Sequence, residues 1–180
     1  MQVIFRRTGE RRYSVVVAVP GEAPQTMSPA PGFDAHIPHD LVHYVVEAEL
    51  RLEAGVFGRA LRGGGTFYAV STATNSREQA RRRRKQNRRE VSLRRERANE
   101  EQLQTSERLA ALCDLAWRRR HGQRPSSVLW HAGSPISAVD AASVERVVLR
   151  LDQLAALWNQ LPVGGELAFR WPGLDAVVQS

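Results

Sequence analysis

The sequence predicts an α+β fold, in which an N-terminal hairpin and a C-terminal strand form a small antiparallel sheet packed with three to four helices. Residues typical of strands are concentrated near both ends of the chain, and the stretches between them repeat apolar residues every three or four positions, as amphipathic helices do. At 180 residues the chain has the length of one domain. We therefore expect a single domain over residues 1–180, whose sheet joins both ends of the chain.

The strands are predicted from β-branched and aromatic residues. The runs Val3–Phe5 and Tyr13–Val19 are rich in them, and Gly9-Glu10 between the two runs suits a hairpin turn. Gln25–Met27 is short enough for a third strand before several prolines interrupt regular structure. Glu166–Trp171 alternates apolar and polar residues near the other end, which predicts the closing strand.

Three helices are predicted from apolar periodicity and from start and stop signals. The first begins near Pro38, has the acidic Asp40 in its first turn and is expected to stop at Gly55. A second regains amphipathic spacing from Leu103 to Trp117, with Cys113 on its apolar face. The clearest periodicity covers Val144–Leu161.

Composition excludes several classes of protein. The longest uncharged runs are too polar, or too broken by Pro and Gly, for a transmembrane helix. The single cysteine, Cys113, excludes an internal disulfide and a zinc finger built from cysteines. No secretory signal is recognisable at the start, so we expect a cytoplasmic protein. Oligomeric state is left open.

The first helix carries the best chemical lead, because three of the five histidines lie between His36 and His43. His39 and His43 are four positions apart and therefore share one helix face, with Cβ atoms about 6 Å apart. Zinc-binding HExxH helices present two imidazoles to one ion with this spacing. We predict a divalent-metal site, of the zinc type, with His39 and His43 as ligands. Asp40 takes the place of the catalytic Glu and is the candidate base or hydrogen-bond acceptor.

Glu47 extends the same face by one more turn. Because His39 and Glu47 lie about 12 Å apart along the axis, Glu47 is either a third ligand with an extended side chain or a partner that orients His43. A further ligand would then come from His36, Glu53, His121 or His131. The alternative interpretation is structural: His43 is a hydrogen-bonded core residue, Asp40 a first-turn acid, and Glu47 the partner of Arg51.

Two resemblances bear on this helix. The string from Pro38 to Glu47 (PHDLVHYVVE), followed by Gly55-Val-Phe-Gly58, resembles the hallmark of an uncharacterised family of small bacterial proteins. Its His-Asp-x-x-His core is also similar to the zinc motif of the ubiquinone-biosynthesis scaffold family, in which a Glu twelve residues after the second His completes the site. This chain has Gly55 at that position, so the resemblance implies a metal at the two histidines and no fixed reaction. If the protein is an enzyme, metal-activated water attacking an ester, amide or phosphoester is the expected class, and the metal is otherwise structural.

The second lead is a basic segment within a helical arm or excursion at residues 76–102. Arg77 to Arg97 contains eleven basic residues against three acids, a net charge of +8 in a chain whose total is +7. The alternative function is therefore a noncatalytic adaptor that binds nucleic acid or an acidic protein. Its candidate contacts are Arg81, Arg82, Arg83, Arg84, Lys85, Arg88 and Arg89. A solvated, self-repelling helix explains the same composition without any partner.

Overall fold

A computed structural model describes residues 1–28, 30, 36–64, 67–69, 80–81, 84, 87–88, 91–92, 97–124 and 139–179. Within them lies one antiparallel sheet of six strands in the order β4-β3-β2-β1-β5-β6. The strands are β1 (Gln2–Gly9), β2 (Arg12–Ala18), β3 (Gln25–Met27), β4 (Tyr68–Ala69), β5 (Glu166–Arg170) and β6 (Val177–Gln179). The α+β class predicted from the sequence is confirmed.

Both ends of the chain meet at the centre of this sheet. Strand β1 pairs with β2 through the hairpin at Glu10-Arg11, and on its other side with β5, so that Phe5 lies opposite Val15 and Leu167. The inward-facing residues of these strands are buried, whereas their neighbours on the opposite face are more exposed. Strands β4 and β6 were not predicted. Strand β4 has only two residues, too few to show a periodic pattern, and the three residues of β6 do not alternate apolar and polar side chains.

Four helices are described: α1 (His39–Glu49), α2 (Val56–Leu61), α3 (Arg97–Arg120) and α4 (Ala141–Gln160). Helix α4 begins at the N-cap Asp140, whose carboxylate accepts a hydrogen bond from the Ser143 amide. In the core, the Phe5 ring of the sheet packs edge-on against Tyr44 of α1. Cys113 of α3 is fully buried, as the apolar spacing predicted.

The predicted end of α1 at Gly55 is wrong. The helix ends at Glu49, and Arg51 follows in the left-handed conformation with φ 54°. The Leu52 amide then bonds back to the Glu47 carbonyl at 2.9 Å, which closes the helix with a Schellman motif. Gly55 instead precedes the first turn of α2 as its N-cap.

No helix in the described part of the chain is long and apolar enough to cross a membrane. This finding agrees with the absence of a long apolar run from the sequence.

Candidate metal centre

His39 and His43 lie one turn apart on α1 and touch. Their ring centroids are 4.7 Å apart and their planes are nearly perpendicular. His43 is buried, with 2% of its surface exposed, whereas His39 is only partly buried at the start of the helix. The two imidazoles therefore form a pair whose outer member has more contact with solvent.

A chain of hydrogen bonds holds the His43 ring from the protein interior. The fully buried Ser106 hydroxyl of α3 donates to Glu47 Oε1 at 2.7 Å. Its oxygen lies 3.3 Å from His43 Nδ1. Because the hydroxyl proton is directed to Glu47, the Ser106 oxygen is left to accept from His43, which places the imidazole proton on Nδ1. His43 Nε2 is then the basic nitrogen of the ring.

Burial determines the charge state of this interior. It lowers the pKa of His43 to about 3, with a smaller contribution from the neighbouring His39, so His43 is neutral near pH 7. Burial also raises the pKa of Glu47 to about 7, although hydrogen bonds from Ser106 and from backbone amides oppose that shift. A neutral imidazole is the form that binds a metal ion.

The Glu47 carboxylate is directed to the start of α2. It accepts hydrogen bonds from the Val56 amide at 2.6 Å and from the Phe57 amide at 2.9 Å. A Cβ atom on Gly55 would lie 2.3 Å from the Glu47 carboxyl carbon, so the close approach depends on glycine. The alternative in which Glu47 pairs with Arg51 is wrong, because these contacts use the carboxylate.

Asp40 is also buried and is bound to the sheet. Its Oδ2 accepts a hydrogen bond from the Tyr13 hydroxyl of β2 at 2.6 Å, and the Asp40 amide donates to the Tyr13 hydroxyl oxygen at 3.3 Å. Burial raises the pKa of Asp40, and the Tyr13 bond opposes the shift. In this position Asp40 is a hydrogen-bond acceptor that fixes the first turn of α1, and its role as a base stays a prediction.

Glu107, the residue after Ser106, faces His43 from α3. Its Oε2 lies 3.6 Å from His43 Nε2, and half of its side chain is exposed. Partial burial raises the pKa of Glu107, and the charge of Asp40 adds to the shift. Because His43 is neutral, this contact is not an ion pair: the second ring nitrogen of His43 faces a carboxyl oxygen across 3.6 Å.

The remaining candidate ligands are distributed as follows. His36 is exposed just before α1, and Glu53 is exposed between α1 and α2. His121 Nε2 lies 2.6 Å from Asp152 Oδ1 of α4. His131 lies outside the described residues. Among those that are described, no three His, Cys, Asp or Glu side chains stand in an arrangement that could hold a metal ion.

The basic arm is described at a few positions. Arg81, Arg84 and Arg88 have helical backbones and exposed side chains. The other four predicted contacts lie outside the described residues: Arg82, Arg83, Lys85 and Arg89.

Sequence reasoning missed Ser106, Glu107 and Tyr13. The sequence does indicate that Ser106 is buried, because it falls three residues after Leu103 and seven before Cys113, on the apolar face of α3. A polar residue at such a position needs a buried partner. That partner is 59 residues away in the chain, so only the fold could identify it.

Comparisons of the chain with family models, with curated proteins and with solved structures found no match. Support for a function of the candidate centre therefore comes from the geometry of its own residues.

Proposed function

We propose that this protein binds one divalent metal ion, of the zinc type, between α1 and α3, with His43, Glu107 and His39 as its ligands. The observation that carries the proposal is the 3.6 Å separation of His43 Nε2 and Glu107 Oε2. Two ligand atoms on one tetrahedral zinc ion, each about 2.1 Å from the metal, are about 3.4 Å apart. A cation between these two atoms would be held by one nitrogen and one oxygen, both of which are ligand types that zinc accepts.

His39 is the third ligand in this proposal. Its ring centroid is 4.7 Å from that of His43, close to the roughly 5 Å expected for two imidazoles on one zinc ion. The three side chains need rotation to converge, since no ready set of three ligands exists among the described residues. His39 is partly exposed and Glu107 is half-exposed, so both have room to rotate.

Glu47 and Asp40 support the ligands in this proposal. Glu47 acts on His43 through Ser106, and this is the orienting role considered from the sequence. The Glu47 carboxyl oxygens therefore make their contacts inside the protein. Carboxylate partners of this kind fix the tautomer of a ligating histidine. Asp40 interacts electrostatically with both His39 and Glu107, so its ionised form would favour a cation at the centre.

The position of Glu107 favours a catalytic over a structural metal. Three protein ligands leave the fourth coordination position of a tetrahedral metal to water. Because Glu107 is half-exposed, that position would lie at the protein surface. Metal-activated water attacking an ester, amide or phosphoester is the reaction class that this arrangement supports.

A zinc titration of chelator-treated protein tests the proposal. We expect isothermal calorimetry to give one zinc per chain, with affinity reduced at least tenfold in Glu107→Gln. Glu101→Gln is the matched control, because it removes the same charge from an exposed position on the same helix. Ser106→Ala, which leaves all three ligands in place, should weaken zinc binding by about 10- to 100-fold. Identical isotherms for the wild type and Glu107→Gln would contradict the proposal.

A further inference from the structure

The basic arm presents a stripe of exposed arginines at its described positions. Arg81, Arg84 and Arg88 are three and then four positions apart, so on a helix they share one face. All three are exposed, and none of them forms an ion pair in the part of the chain that the structure describes. The stripe is about 10 Å long, because seven residues rise 1.5 Å each.

Elsewhere in the described residues, some arginines form ion pairs with acids. Five examples are Arg6 with Glu166, Arg59 with Glu100, Arg118 with Asp114, Arg120 with Glu145 and Arg146 with Glu49. The sequence outside Arg77–Arg97 has a net charge near −1. The positive potential of the molecule is therefore concentrated on the arm.

We propose that the arm binds double-stranded DNA through its phosphate backbone, without reading its sequence. A duplex carries one negative charge per 1.7 Å of axis, so the stripe spans about six phosphate charges. A helix with its side chains is about 10–12 Å wide, which matches the 12 Å major groove of B-form DNA. The major groove of duplex RNA is too narrow for such a helix.

The composition of the arm disfavours other polyanions. A helix that lies in a membrane surface needs an apolar face, and Val91 and Leu93 are the only large apolar residues from Arg77 to Arg97. Single-stranded nucleic acid is bound by stacking on aromatic rings, and the segment has none. An acidic protein partner needs apolar or aromatic anchors at the centre of an interface, which the arm also lacks.

The test is fluorescence anisotropy with a labelled 20-base-pair duplex of random sequence, measured from 0.05 to 0.3 M salt. The variant combines Arg81→Gln, Arg84→Gln and Arg88→Gln, since glutamine keeps helix propensity. Loss of three phosphate contacts should weaken binding by about 100-fold at 0.15 M salt and reduce the slope of log affinity against log salt by about 2.7. The control combines Arg11→Gln, Arg12→Gln and Arg119→Gln, which removes equal charge from exposed positions on the folded body.

The outcomes separate the alternatives. Binding that is lost in the arm variant, kept in the control and unchanged by a chelator supports the proposal and makes it independent of the metal centre. Equal losses of DNA affinity in the arm variant and in the control would show that binding depends on total charge, and this would overturn the proposal. Equal or tighter binding to duplex RNA, to phosphatidylserine vesicles or to polyglutamate would overturn the choice of DNA.

Discussion

His43 is the residue on which the candidate centre depends. Its Nδ1 contacts Ser106 and its Nε2 faces Glu107, so one nitrogen is fixed by the interior and the other is directed to a half-exposed carboxylate. Burial alone would make this histidine an ordinary core residue. The Glu107 contact is compatible with both interpretations, because a buried imidazole needs a partner for its second nitrogen whether or not it binds a metal, so zinc binding has to be measured to separate them.

Gly55 is required because the Glu47 carboxyl group approaches its Cα closely. Its φ of −74° is accessible to any residue, so the constraint is space: an added Cβ would lie 2.3 Å from the Glu47 carboxyl carbon. We predict that Gly55→Ala lowers the free energy of unfolding by about 2 kcal/mol, as overpacking in a core does. Urea denaturation followed by circular dichroism measures the change.

The control is Gly9→Ala, where the nearest atom to the added Cβ is at 3.5 Å, an ordinary contact. That substitution should change the free energy of unfolding by less than about 1 kcal/mol. Equal effects of the two substitutions would mean that Glu47 can move away from α2 without cost.

At the scale of elements, two polar contacts position α1. The Tyr13–Asp40 hydrogen bond attaches its first turn to β2, and the Glu47–Ser106 bond joins its last turns to α3. Both are buried, so each stabilises one relative placement of the elements and penalises others. His43 lies between these two attachments, and His39 lies directly before the first.

The Tyr13–Asp40 bond predicts a pH-dependent stability. Its loss in Tyr13→Phe raises the Asp40 pKa further, and a carboxyl whose folded pKa lies above its unfolded value costs stability increasingly as pH rises. We expect Tyr13→Phe to lose about 1–3 kcal/mol at pH 8 and less at pH 5, measured by urea denaturation.

Tyr44→Phe is the matched control for this prediction. The Tyr44 hydroxyl donates to the Gly173 carbonyl at 2.7 Å, and no carboxylate takes part in that bond. Its loss should therefore be the same at both pH values. A pH-independent loss in Tyr13→Phe would show that Asp40 does not change its protonation state in the folded protein between pH 5 and pH 8, and would contradict the prediction.

The sequence predicted those elements whose signal is local. Strands β1, β2 and β5 and helix α4 follow from patterns several residues long, and the adjacency of His39 and His43 follows from helix geometry. The end of α1 could not be predicted, because Arg51 takes a left-handed conformation that is typical of glycine. The partners of His43 and Asp40 are far away in the chain, and no local pattern identifies them.

At the scale of the whole molecule, the basic segment and the candidate metal centre occupy different parts of the chain. The candidate metal centre lies where α1 and α3 pack beside the sheet. It combines the imidazoles of His39 and His43 with three acidic side chains: Asp40, Glu47 and Glu107. The basic arm carries the excess positive charge. The candidate metal centre would bind a cation and the basic arm a polyanion, so the two proposals can be tested separately.

X-ray absorption at the zinc edge, on protein loaded with one zinc per chain, tests the metal centre most directly. A metal held by His39, His43 and Glu107 should show two imidazole nitrogens and one or two oxygens at about 2.0–2.2 Å, with no sulfur, since the one cysteine is buried in the core. In His39→Ala the spectrum should lose one imidazole. A shell with sulfur, or with no imidazole, would contradict a metal held by His39, His43 and Glu107.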